Sequence, residues 1–181
     1  MAPREERSAM RAANEKMTTG EAMARFDSLE PATTAMMWGR WRGECIDTGH
    51  PMDGLLEATR WHGKAVLGPD LVHPLVHRVR SGRLFNVNPA LLPLGLVLRL
   101  PFRDAVIGAL FPILGPLLAT RRCKARLRTL EFRGRLHAAM CYDDKPIHDV
   151  FARIDADSAM GWMDFKGSER PYFFRLAREG G

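Results

Sequence analysis

The sequence predicts a mainly β protein: an antiparallel barrel of roughly eight strands, with an N-terminal helix and an apolar helical insertion. Three observations predict it. Across the last third, short strand-like runs alternate with three- to five-residue turns, the pattern of a meander. Earlier, Met37-Trp38-Gly39-Arg40-Trp41-Arg42-Gly43 switches the hydrophobic period to two directly after a helical segment. Between these β-patterned parts, residues 89–120 carry little charge.

The 181 residues suit one domain of ordinary size. With 46% hydrophobic and 27% charged residues, the chain is neither a disordered segment nor an ordinary membrane protein. A net charge of +6 favours anionic surfaces without specifying a fold. Cys45, Cys123 and Cys141 form no CxxC pair, which argues against a disulfide framework and for a reducing compartment. The N-terminus lacks the apolar core of a secretory signal, so a cytoplasmic location is expected.

Residues 1–17 read as a flexible arm, and 18–181 as the barrel domain. Thr18 and Glu21 have capping-box spacing, and Ala22, Phe26 and Leu29 follow at helical intervals before Pro31. This predicts a short amphipathic helix packed as a plug or flank. From Trp38, alternation places Trp38, Arg40 and Arg42 on one strand face and Gly39, Trp41, Gly43 and Cys45 on the other. The glycines beside Trp41 suit close backbone approach; the plain alternative makes Trp41 a core residue. Asp53 is a candidate cap for a short helix through Leu55, Leu56 and Ala58 that ends near Trp61-His62-Gly63. Lys64–Leu67, Leu71–Val79 and Leu84–Val87 are strand candidates separated by turn residues.

Within the insertion, residues 89–122, the uncharged run Ala105–Ala119 is shorter than the roughly 20 apolar residues of a spanning helix and is broken by Gly108, Pro112, Gly115 and Pro116. Arg121, Arg122, Lys124, Arg126 and Arg128 follow that run. Three roles stay open: a lid over a cavity, a buried core helix, or a contact with an anionic membrane surface through residues 105–128. Beyond it, the meander 123–178 runs through Arg126–Phe132, Arg135–Tyr142, Ile147–Ile154, Met160–Lys166 and Tyr172–Arg178.

Two sets of residues resemble a known family. Gly39-Arg-Trp41-Arg-Gly43, with His50-Pro51-x-Asp53-Gly54-Leu55-Leu56 and Trp61-x-Gly63-Lys64, resembles the GXWXG domain over a half spanning 33–88. Tyr142-Asp143, Pro146-Ile147-x-Asp149-x-Phe151 and Gly161-x-Met163-Asp164-x-Lys166-Gly167, ending in Phe173-Phe174-x-Leu176, resemble the domain of unknown function that accompanies it. The resemblance implies a small bacterial-type cytosolic protein without an established common activity. A glycine-x-tryptophan opening after a short helix is also similar to lipocalins and other calycins, barrels that bind apolar molecules. That likeness acts at the level of fold and does not fix a function.

Several side chains are candidates for chemistry. Alternation puts Asp149 on one face with Ile147 and Phe151, which favours an inward carboxylate. Desolvated there, it could stay protonated and serve double-bond isomerisation or olefin cyclisation; alternatively it hydrogen-bonds a tyrosine or lysine and ties two strands together. Asp164, a second candidate, shares a face with Met160, Trp162 and Lys166. If that face is inside, Lys166 and Lys64 are positioned to hold the acidic end of an amphipathic ligand. His73 and His77 would lie about 13 Å apart on a strand, too far to share a metal. No metal site, nucleotide fingerprint, phosphate loop or serine-hydrolase elbow is evident, and no cofactor is expected. Arg121–Arg128 has no interleaved aromatics, so nucleic acid is not expected as a partner.

The sequence therefore points to binding of a small hydrophobic or amphipathic, lipid-like or terpenoid-like ligand inside the barrel. Trp41, Trp61, Tyr142 and Phe151 would line its cavity, and Asp149, Asp164, Lys64 and Lys166 would supply polar contacts. A cofactor-independent isomerase or cyclase using Asp149 is the alternative, and a peripheral membrane protein the third reading.

Overall fold

The computed structural model of the protein describes residues 16–92 and 103–180. Helix α1 (Thr19–Ser28) begins at the predicted capping box: the Thr18 hydroxyl accepts from Glu21 N–H, and the Glu21 carboxylate accepts from Thr18 N–H at 2.7 Å. A two-residue strand β1 (Glu30–Pro31) follows, then β2 (Gly39–Cys45), a single-turn helix α2 (Leu55–Ala58), β3 (Trp61–Gly68), β4 (Leu71–Arg78) and β5 (Leu84–Asn86). Helix α3 (Arg103–Leu114) precedes β6 (Ala125–Phe132), β7 (Arg135–Tyr142), β8 (Ile147–Arg153), β9 (Ser158–Phe165) and β10 (Tyr172–Arg178). Among the described residues, no helix is long and apolar enough to cross a membrane.

Eight of the strands close into a ring in the order β8-β7-β6-β4-β3-β2-β10-β9, with β9 returning to β8 and every pairing antiparallel. One seam is thin. Only Val72 and Ala125 stand in register between β4 and β6, whereas the far end of β4, Val76–Arg78, pairs with β5. The sheet thus forks where the insertion leaves it, and α3 lies against α2 and the β4–β5 arm, with Phe111 beside the rings of His77 and Phe85.

The ring has an apolar face on each side. Outside, α1 seats Ala22 and Phe26 on Ala139, Val150, Met160, Trp162 and Phe173, so the helix is a flank and not a plug. Inside, Met37, Trp41, Val66, Leu127, Met140, Phe151 and Leu176 fill one half of the ring. Trp41 is fully buried and its indole N–H donates to the Met37 carbonyl at 2.9 Å, which satisfies its polar edge within the core.

The glycines of the Gly-x-Trp-x-Gly stretch have separate duties. Gly39 has φ +114°, a conformation that a side chain rarely adopts. A methyl group at Gly43 would fall 2.1 Å from the Trp61 ring, so this glycine is the seat of a second tryptophan. Close approach therefore comes from a neighbouring side chain.

Two local expectations need correction. Asp53 does not cap α2, whose N-cap is Gly54; its carboxylate instead accepts from the backbone N–H groups of Thr48 and His50 and closes the preceding turn. Trp61-His62-Gly63 belongs to β3 rather than to a helix end, because the chain has already turned through Arg60 at φ +54°.

Candidate functional site

The half of the ring not filled by the core holds a cavity of about 400 Å³. Strands β3, β4, β7, β8, β9 and β10 contribute Trp61, Lys64, Leu75, Tyr142, Ile147, Asp149, Met163 and Phe174 to its wall. Met52, Leu55 and Leu56 close one side, and Ile107, Leu110, Phe111 and Leu114 of α3 cover it. Residues 103–114 thus occupy the place of a lid; residues 93–102 of the insertion lie outside the described residues. Gly108 faces Ala58, and a methyl added there would meet Ala58 Cβ at 3.7 Å, an ordinary contact.

Lys64 and Asp149 join beneath this cavity, 2.7 Å apart and with side chains 3% and 1% exposed. They come from β3 and β8, which stand opposite one another in the ring, so the ion pair spans its interior as a strut. The Lys64 ammonium also donates to the Pro74 carbonyl at 3.1 Å and the Tyr142 hydroxyl at 3.3 Å. The rings of Phe174, Trp61 and Tyr142 surround it at 4.9, 5.6 and 5.7 Å, a cation–π enclosure. Burial, and next to it the Asp149 carboxylate, raise the Tyr142 phenol well above its ordinary pKa. Tyr142 is therefore a neutral hydroxyl.

His77 also lines the cavity, against the Phe111 ring of the lid at 4.9 Å. Burial lowers its pKa to about 4, and the Lys64 charge works in the same direction, against the Thr59 carbonyl that accepts from Nδ1–H. The imidazole is neutral and its Nδ1 carries the proton. His50 belongs to a turn: Nδ1 accepts from Met52 N–H at 3.0 Å and Nε2 lies 3.2 Å from the Arg170 carbonyl oxygen.

Of the candidate residues, Trp61, Lys64, Tyr142 and Asp149 come together at the cavity. Four do not. Trp41 and Phe151 are inward but lie in the solid half; Phe151 is one inward step beyond Asp149 along β8, on the far side of the strut. Asp164 and Lys166 are exposed. Register explains it: Met163 stands opposite Asp149, so the alternate residues Trp162 and Asp164 face outward. The sequence reading missed His77, Met163 and Phe174 as cavity residues. Parity along β9 and β10 was the available signal, but choosing the inward face requires knowing the partner strand.

The model of the GXWXG protein matches residues 24–82, and that of the Domain of unknown function (DUF4334) matches residues 123–178. Helix α3 lies between the two matched segments. A solved structure, described as the crystal structure of a protein from Thermomonospora curvata, is similar at 27% identity and a TM-score of 0.72 over 97% of each chain. No curated protein matches the chain. Its N-terminal half carrying the motif and its C-terminal meander carrying the companion domain, this chain is a GXWXG-domain protein with a DUF4334 domain.

Proposed function

We propose that the protein binds a small, largely apolar molecule in the cavity of the ring, with α3 as its lid. The observation that carries this reading is a cavity of about 400 Å³, the size range of small-molecule sites, walled mainly by carbon with one buried polar strut at its floor. Filling such a space with water would leave Leu, Ile, Met and Phe side chains wet, and an apolar occupant removes that surface from water at roughly 25 cal/mol per Å². Native mass spectrometry of the purified protein is expected to show a retained small molecule or, after delipidation, Nile red binding at the cavity. Ile107→Trp, which fills the lid side of the space, is expected to abolish dye binding. Unchanged dye binding in that variant would refute the reading.

The strut weighs against the isomerase or cyclase alternative. That chemistry asks for a lone protonated acid in an apolar pocket, whereas Asp149 has the Lys64 ammonium as its partner at 2.7 Å.

A membrane role has its own supporting observation. Val106, Leu110, Ile113, Leu114 and Leu117 of the α3 region are each between 45% and 77% exposed, and Arg121 and Arg122 beside them are exposed as well. Apolar side chains next to cations fit an anionic bilayer surface. The lid would then meet the membrane from which an apolar ligand comes. Flotation with vesicles rich in phosphatidylserine tests this, with Ile113→Asp/Leu117→Asp expected to stay at the bottom of the gradient; flotation unaffected by the two aspartates would remove the role.

A further inference from the structure

The polar groups at the cavity floor restrict what the ligand's polar end can be. Lysine has three N–H donors, and in Lys64 all three are taken, by Asp149 Oδ2, the Pro74 carbonyl and the Tyr142 hydroxyl. Its charge is balanced by Asp149. An incoming carboxylate would find no free Lys64 donor there and would add a second anion beside Asp149, in surroundings where like charges repel strongly. The acidic end suggested by lysines alone does not suit this floor.

Two polar atoms of the cavity wall are buried without a hydrogen-bond partner among the described residues: Asp149 Oδ1, which accepts, and Trp61 Nε1, which donates. Both side chains flank the Lys64 ammonium, whose Nζ is 2.7 Å from Asp149 Oδ2 and 5.6 Å from the Trp61 ring centre. Leaving both unmet is costly, because a buried polar group without a partner forfeits its solvation. A hydroxyl group carries one acceptor and one donor, the complement of this pair. Its oxygen accepts from the indole N–H and its hydrogen goes to the carboxylate.

Resting on the cavity reading above, we infer that the ligand is a neutral apolar alcohol, with its hydroxyl between Trp61 Nε1 and Asp149 Oδ1 and its hydrocarbon part under α3. The rival arrangement puts an acid the other way round, its carboxylate at the mouth near Lys145, whose ammonium donates to the Leu92 carbonyl at 3.0 Å.

The test is displacement of Nile red from the full chain by dodecan-1-ol, dodecanoate and dodecane. The readout is each probe's affinity for a variant relative to wild type, which cancels differences in probe solubility. Trp61→Phe keeps a ring and removes the donor; it is expected to weaken dodecanol about tenfold while leaving dodecane within about twofold, the scale of one lost buried hydrogen bond. Asp149→Asn frees Lys64 of its counter-charge and is expected to strengthen dodecanoate about tenfold while weakening dodecanol. Should that variant not fold, Trp61→Phe decides alone. Equal changes for all three probes in Trp61→Phe overturn the inference, as does dodecanoate binding tightest to wild type and being lost in Lys145→Ala. If dodecane displaces the dye but dodecanol gains nothing from the floor, the cavity reading stands and the alcohol fails. If no probe displaces it, both fall.

Discussion

Replacing Asp149 with leucine removes one end of a strut whose two side chains are 3% and 1% exposed. The Lys64 ammonium would keep the Pro74 carbonyl and the Tyr142 hydroxyl as partners, both uncharged, and would stand as an uncompensated charge in an apolar interior. Breaking a buried pair in this way costs about 3–5 kcal/mol, a large share of the roughly 5–15 kcal/mol that holds a domain folded. Lys64→Met should cost a similar amount, because it leaves the carboxylate alone. The double variant Lys64→Met/Asp149→Leu is different: it removes both desolvation penalties and fills the space with carbon, so its stability should lie within about 1 kcal/mol of wild type or above it. Urea unfolding followed by tryptophan fluorescence measures all four proteins, with the unfolding slope checked for constancy. Singles that cost under about 1 kcal/mol would mean that water reaches the pair. A double variant that costs as much as the two singles together would show that the strut exists for stability, and would remove the reason to look for a ligand at it.

Gly43→Ala drives a methyl to within 2.1 Å of the Trp61 ring, so overpacking should cost about 1–3 kcal/mol, and Trp61→Leu in the same chain should restore much of it; thermal unfolding of the three variants checks both statements. His77 has its pKa lowered from 6.5 to about 4 in the folded protein, so the unfolded chain binds more protons between those values. Its contribution, about 3 kcal/mol, is therefore fully present above pH 6.5 and is lost as the pH falls towards 4; stability measured across that window should fall less steeply in His77→Phe. Thr18→Ala removes the cap and half of the capping box of α1, which should cost about 1 kcal/mol in urea unfolding.

Much of the ring was legible because it depends on local alternation. Ile147-x-Asp149-x-Phe151 announces an inward acid from three residues alone, and Thr18 with Glu21 announces the start of α1 within a single turn. A tie from Asp149 to a lysine or tyrosine was among its readings, but which lysine was not legible, because Lys64 lies 85 positions away on the opposite strand of a closed ring. Parity tells which residues share a face but not which face is inside, and for β9 that single bit decides the fate of Asp164 and Lys166. The division of the interior is a three-dimensional fact of the same kind: Phe151 has the sequence marks of a cavity residue and still ends in the solid half, where Trp41 takes the core place that was its plain alternative. For residues 103–114 the apolar composition suited a lid, a core helix and a membrane contact alike, and only the assembled strands give them a cavity to cover.

That fork has a kinetic consequence. A cylinder of strands yields first along its least stitched line, and here a single registered pair, with the Lys124 and Leu127 amides donating to Val72 and Pro69, joins two strands. Parting there would bare Val66, Val72 and Leu127 of the packed half before the hollow itself. In hydrogen–deuterium exchange those two amides should trade protons well before the tightly laced β6–β7 ladder next door.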